Sequence, residues 1–147
     1  MAKDIRVLKI PVSGTPEFET IVDSLGEMQR LVGGWIEPVR FNHLKTKFVM
    51  VVNEEGRLRN LPVNVRATYL VNKVANTLDN PQMVLVGDAF ICVDWSTHFR
   101  SVPVGKEVAL FAEMNDTDVF DKWWNKGGKE GVEAALCQPL YRFVTIS

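Results

Sequence analysis

Histidine and cysteine are scarce in this chain. His43 and His98 are its two histidines, and Cys92 and Cys137 stand 45 positions apart. No C-x-x-C pair and no H-x-x-x-H occurs, so the ligand spacing of a protein-bound metal is missing. Each cysteine sits in an apolar run, which predicts two buried thiols in a reducing compartment rather than a disulfide. No stretch reaches the roughly 20 apolar residues of a membrane helix. Met1-Ala2-Lys3-Asp4 leads into a strand-like run rather than an apolar export segment, so a cytoplasmic protein with no membrane partner is expected. The Gly-x-Gly-x-x-Gly fingerprint and the phosphate loop with its lysine are also missing. Charge of one sign is lacking too: 17 Lys and Arg face 18 Asp and Glu. No global field would hold the chain on nucleic acid or an anionic membrane, and a dedicated DNA-binding protein is not expected. The two halves differ, however. Residues 1–73 carry eleven basic against eight acidic side chains, and residues 74–147 carry six against ten, which leaves the first half able to attract an anion.

What is present suits one domain spanning 1–147. With 147 residues, 46% hydrophobic and 24% charged, the chain is long enough to bury its own core. Ile5–Ile10 reads as a first strand. Thr15, Pro16, Glu17 and Glu19 resemble a helix start, and Phe18, Ile21, Val22, Leu25, Met28, Leu31 and Val32 recur at helical spacing. A helix over 16–32 ending at Gly33-Gly34 is therefore predicted. Trp35–Phe41 is extended, with Pro38 pushing it to a sheet edge. Phe48–Val52, apolar on both faces, predicts a central strand, followed by a turn at Asn53–Gly56. Ala67, Leu70, Val71, Val74, Ala75 and Leu78 predict a second helix capped by Asn64. Met83–Val86 and Ala89–Val93 read as strands bent at Gly87-Asp88. Val108–Met114 fits helix or strand, Thr117 opens a short helix that Gly127-Gly128 ends, Gly131–Cys137 adds another helical turn, and Leu140–Ile146 reads as a closing strand. The expected fold is α+β: a mixed, mostly antiparallel sheet with two main helices packed on one face and a shorter helical C-terminal extension. Leu25, Val51 and Val74 are expected in the core.

Four segments in series carry a family resemblance: Leu31-Val32-Gly33-Gly34-Trp35-Ile36-Glu37; Val51-Val52-Asn53-Glu54-Glu55-Gly56; Leu61-Pro62 with Asn64, Ala67 and Thr68; and Val86-Gly87-Asp88-Ala89. In order and spacing they resemble domain of unknown function 3846, a family of small proteins frequent in bacteriophages and other mobile elements. The resemblance spans about residues 5–95 and leaves residues from about 96 to 147 as an extension. It implies a fold and a phage-type origin, and it supplies no catalytic residues.

The residues themselves offer little for catalysis. Asp116, Asp118 and Asp121 lack the oxygen ligand and glycine of a calcium loop and read as a helix first turn. Cys92 has no local base, and Ser96-Thr97-His98 has no glycine-framed elbow, although His98 near Asp94 is the one general-base candidate. Binding features remain. Arg40, Lys45, Lys47, Arg57, Arg59 and Arg66 outnumber the acids of 40–66, and arginine forks suit phosphate oxygens. Arg57, Arg59, Asn64 and Arg66 are the candidate phosphate ligands, and Trp123 or Trp124 the candidate base-stacking platform. Taken with the phage-type origin that the resemblance implies, these side chains lead to the expectation of a non-enzymatic protein that needs no cofactor and sequesters a small anionic nucleotide-derived host immune signal. The alternatives are an inhibitor or adaptor that grips a host protein through the tryptophan-bearing tail, and, more weakly, a nucleotide hydrolase. Two adjacent tryptophans on a short helix also favour a homo-oligomer. Since neither thiol has a local partner and no metal-ligand spacing occurs, reduction or EDTA should leave the melting temperature unchanged; a drop of several degrees with either reagent would reveal a bridge or a metal.

Overall fold

The computed structural model describes residues 3–43, 45–95, 98–103 and 117–137. Six strands form one sheet: β1 (Asp4–Ile10), β2 (Glu17–Val22), β3 (Ile36–His43), β4 (Thr46–Asn53), β5 (Ala89–Trp95) and the short β6 (His98–Arg100). Their order is β2-β1-β5-β4-β3, with β6 also on β5, and every pairing is antiparallel. Helix α1 (Leu25–Val32) follows β2, and α2 (Val65–Val74) lies between β4 and β5. The C-terminal part holds α3 (Thr117–Trp123), a wide π-type turn (Trp124–Gly128) and α4 (Lys129–Leu136). The domain is α+β, as its pattern predicts.

Strand periodicity divides the core in two. Leu8, Ile10, Phe48, Met50, Ile91 and Val93 point to one face, where Ala67, Leu70 and Val71 of α2 and Phe120 of α3 cover them. Val7, Val49, Val51, Phe90 and Cys92 point to the other, covered by Met28 and Val32 of α1. Helices therefore lie on both faces, not on one. The continuous apolar runs of β4 and β5 record this, because a strand buried on both sides has no polar alternation. Edge strand β3 carries Pro38 as expected, and Asn64 caps α2 by accepting from the Ala67 N–H at 3.1 Å.

The helix predicted over 16–32 divides in two. Glu17–Val22 is strand β2, paired with β1 along its length from Lys9↔Glu17 to Asp4↔Val22, and α1 starts only after the Ser24 cap, whose Oγ accepts from the Glu27 N–H. Phe18 and Ile21 are three apart, which in a helix shares a face and in a strand opposes faces. Here Phe18 packs with the α2 core and Ile21 with the α1 core. The β-branched Thr20-Ile21-Val22 and a ready partner in β1 override the helical spacing. Leu25 consequently sits in the first turn of α1 with 54% of its surface exposed, whereas Val51 is fully buried and Val74 half-buried. Met83–Val86 is extended but is no strand of the sheet, making only an isolated bridge between Val86 and Val63. Val108–Met114 and Leu140–Ile146 lie outside the described residues. The helix opened at Thr117 stops at the glycines as expected: Lys126 (φ −109°) and Gly127 (φ 108°) leave helical backbone, Gly127 in a conformation closed to most side chains, and α4 follows as a second helix.

Residues 98–102 fill a fork. β1 pairs β5 at Leu8↔Ile91 through Ile10↔Ala89, and β6 takes over the same edge at Val93↔Arg100. The Arg6 N–H donates to Ser101 Oγ at 2.9 Å, and the Val102 N–H donates to the Arg6 carbonyl at 3.0 Å, so the inserted segment is bonded on both sides. Leu70, fully buried beneath the sheet, should cost about 2–5 kcal/mol on truncation to alanine, whereas Leu25→Ala should change stability by less than about 0.5 kcal/mol; chemical denaturation of both variants checks this assignment.

Candidate functional site

Residues 80–87, extended over 83–86 and bent at Asn80 and Gly87, cross the α2 side of the sheet, and polar side chains of α2 hold this run there. Asn72 Nδ2 donates to the Met83 carbonyl at 2.8 Å, and its Oδ1 accepts from the Gln82 N–H at 3.0 Å. Thr68 Oγ1 accepts from the Leu85 N–H at 3.0 Å and donates to the Leu85 carbonyl at 3.2 Å. Asn64 donates through its backbone to Leu85 and through its side chain to the carbonyls of Ile10 and Gly87. Thr68 and Asn72 were not among the expected site residues. Their signal was two polar residues four apart on the flank of an apolar helical stripe.

On the other side of this run lies a cavity of about 590 Å³, within the range of small-molecule sites. The sheet contributes Val39 and Val52, and α4 contributes Gly131, Ala134 and Ala135. Glu37, Glu54 and Arg57 bring charge to it. α4 reaches the extended run at Gly131, where an added Cβ would come within 2.7 Å of the Pro81 ring. Its far end is held by Arg57, whose Nη2 donates to the Leu136 carbonyl at 2.6 Å. A second hollow of about 500 Å³ is lined by Lys9, Arg30, Ser13 and Asp88. Its charges are engaged elsewhere: Lys9 pairs with Glu19 at 3.0 Å, Arg30 with Glu27 at 2.6 Å, and Asp88 accepts from the Val12 N–H. The Arg30 hydrogen bond holds the Glu27 carboxyl below its ordinary range.

The six candidate ligands do not converge. Arg57 alone among them lines the larger cavity. Arg59 is exposed, 3.7 Å from Glu55, and donates to the Gly33 carbonyl. Asn64 is fully buried as a cap and staple. Arg66 donates to the Gly14 carbonyl and lies 5.5 Å over the Phe120 ring. Trp123 donates its indole N–H to the Leu78 carbonyl at 3.0 Å and meets Tyr69 edge-on, and Trp124 tilts against it with centroids 6.0 Å apart. Cys92 is buried as expected, but Cys137 is exposed just past the end of α4. Asp118 and Asp121 are exposed on α3, while Asp116 and the side chains of Asp94 and His98 lie outside the described residues. Among the described residues no group of three metal-ligating side chains occurs, and no helix is long and apolar enough to cross a membrane.

The family model "Domain of unknown function (DUF3846)" matches residues 5–114. That is about twenty residues further than the quoted segments reach, and the extension shortens accordingly. No curated protein matches the chain. Among solved structures, the chain is similar to the crystal structure of the small RNA methyltransferase HEN1, at 16% identity and a TM-score of 0.50. The match covers 78% of this chain and 16% of that one, so the chain spans about a sixth of that protein's length, and the likeness is one of fold. Arg57→Ala removes a charge-assisted bond to the end of α4 and should lower stability by about 1.5 kcal/mol with faster amide exchange in α4, whereas Arg59→Ala, at an exposed pair, should cost less than about 0.5 kcal/mol.

Proposed function

The chain belongs to the DUF3846 family, and from that premise we propose that it is a non-enzymatic binding protein, of phage type, that sequesters a small anionic nucleotide-derived signal of the host. One observation carries this reading: the preformed cavity beside Arg57, with apolar walls and a guanidinium at its rim. Such a site needs affinity and no chemistry. The Arg57 guanidinium, which also donates to the Leu136 carbonyl, supplies positive charge toward a phosphate, and the valine and alanine walls supply the burial that orients a ring. Arg57 replaces the dispersed set as the leading ligand residue. Trp123 supports the C-terminal part through Leu78 and Tyr69 rather than covering a base, and the same engagement weakens the case for a host-protein inhibitor acting through that tryptophan. A homo-oligomer belongs to this reading too, supported now by Trp35 and Leu58, which are 59% and 68% exposed.

A thermal-shift screen against mononucleotides, cyclic nucleotides and NAD-derived molecules tests the proposal, followed by mass spectrometry of the molecule released on denaturation. Stabilisation with intact, stoichiometric recovery is expected. Arg57→Ala should weaken binding by roughly one to two decades, with stability measured alongside. Recovery of a cleaved product at substoichiometric protein would favour a hydrolase, and no shift across the panel would favour the protein-binding alternative.

A further inference from the structure

The extended run presents an edge to the cavity. Met83 and Leu85 turn their backbone groups toward α2, where Asn72 and Thr68 take them up. Gly87 turns its N–H the same way, to the Pro62 carbonyl at 2.8 Å. In a trans peptide the C=O and the following N–H point opposite ways, so the bonds from α2 to the Met83 carbonyl and the Leu85 N–H turn the N–H and C=O of Val84 away from that helix, and the bonds to the Leu85 carbonyl turn the Val86 N–H away likewise. Residues 80–86 all line the cavity, Val84 and Val86 among them. Among the described residues, the Val84 backbone meets no main-chain partner.

We infer that this edge is the anchor of the ligand, and that it holds a nucleobase by paired hydrogen bonds to the Val84 backbone. The inference rests on the sequestration reading and names which part of the ligand supplies the affinity. A donor beside an acceptor on a rigid backbone complements any planar ring that carries an acceptor beside a donor, as every nucleobase does. Length decides against a peptide strand. The edge runs only from Val84 to Val86, because Gln82 and Gly87 spend their N–H groups on Asn72 and Pro62, and a stable added strand takes about five or six residues. The α4 wall fits a flat ring, since Gly131, Ala134 and Ala135 give it low relief opposite the valines. Charge limits the other end of the ligand. One guanidinium shares the cavity with the carboxylates of Glu37 and Glu54, which suits a ligand with a single phosphate and ribose hydroxyls rather than a polyphosphate.

Titration calorimetry of the full chain with AMP, ATP, adenosine and ribose 5-phosphate, together with ¹⁵N spectra of the Val84 amide, tests this. Expected are adenosine about ten- to a hundredfold weaker than AMP, ATP no tighter than AMP, ribose 5-phosphate more than a hundredfold weaker than AMP, and a Val84 amide that shifts on saturation with AMP. Val84→Pro, which removes the N–H together with the valine side chain, should weaken AMP at least tenfold, and Val84→Ala, which keeps the N–H, should weaken it less; if the proline variant does not fold, the amide shift in the native chain stands as the readout. Ribose 5-phosphate binding as tightly as AMP, or AMP binding with the Val84 amide unmoved, would overturn the base anchor and leave sequestration intact. Failure of all four probes to bind at millimolar concentration would overturn both.

Discussion

Three buried polar side chains at four-residue spacing, Asn64, Thr68 and Asn72, hold together the parts of this molecule that the sheet alone would not join. Each lies on or at the head of α2, each is essentially closed to solvent, and each satisfies backbone groups of residues 82–87, which belong to no strand of the sheet. A buried amide or carbonyl left without a partner costs about 1–3 kcal/mol, so the loss of any one side chain strands several groups at once. With the run pinned at one edge, its other edge is fixed in direction, and the cavity between it and α4 acquires its shape. Helix, extended run and cavity are thus one mechanical unit.

The sheet supplies the rigid platform for that unit. β4 and β5 are buried on both faces, so neither face can yield without disturbing a helix on the opposite side. Asn53 adds a polar link between the faces. Its Nδ2 donates to the Val32 carbonyl at the end of α1, and its Oδ1 accepts from the Glu55 N–H, so the turn that carries Arg57 is tied to the helix beneath the sheet. Arg57 in turn reaches the end of α4, which makes the charged rim of the cavity a junction between the sheet and the C-terminal helices.

Much of the fold was legible where a residue's local chemistry has one use. Asn64 as a cap, Pro38 on an edge, Phe48–Val52 as a central strand and the turn at Asn53–Gly56 each follow from a single physical preference, and each holds. The reading fails where two structures share one spacing. Phe18 and Ile21 serve a helix or a strand equally, and only the distant β1 decides between them. Met83–Val86 has the composition of a strand, yet its partners are helix side chains, which no periodicity announces. The candidate site was read from charge, and charge alone selects surface arginines. Arg57 was found that way. The backbone edge at Val84 was not, because it exists only once Thr68 and Asn72 have claimed the alternate residues.

The position of β5 in the sheet governs the order in which the chain can fold. β1–β2 and β3–β4 are hairpins of neighbouring residues and can close on their own as soon as each is made. In the finished sheet they do not touch each other, because β5 lies between β1 and β4. Leu8 waits for Ile91, and until then the two hairpins have no strand pairing in common. Contacts of such long sequence separation are slow to form. Before Ala89–Trp95 is made, no strand pairing joins the two hairpins, and β5 is the strand that makes one sheet of them.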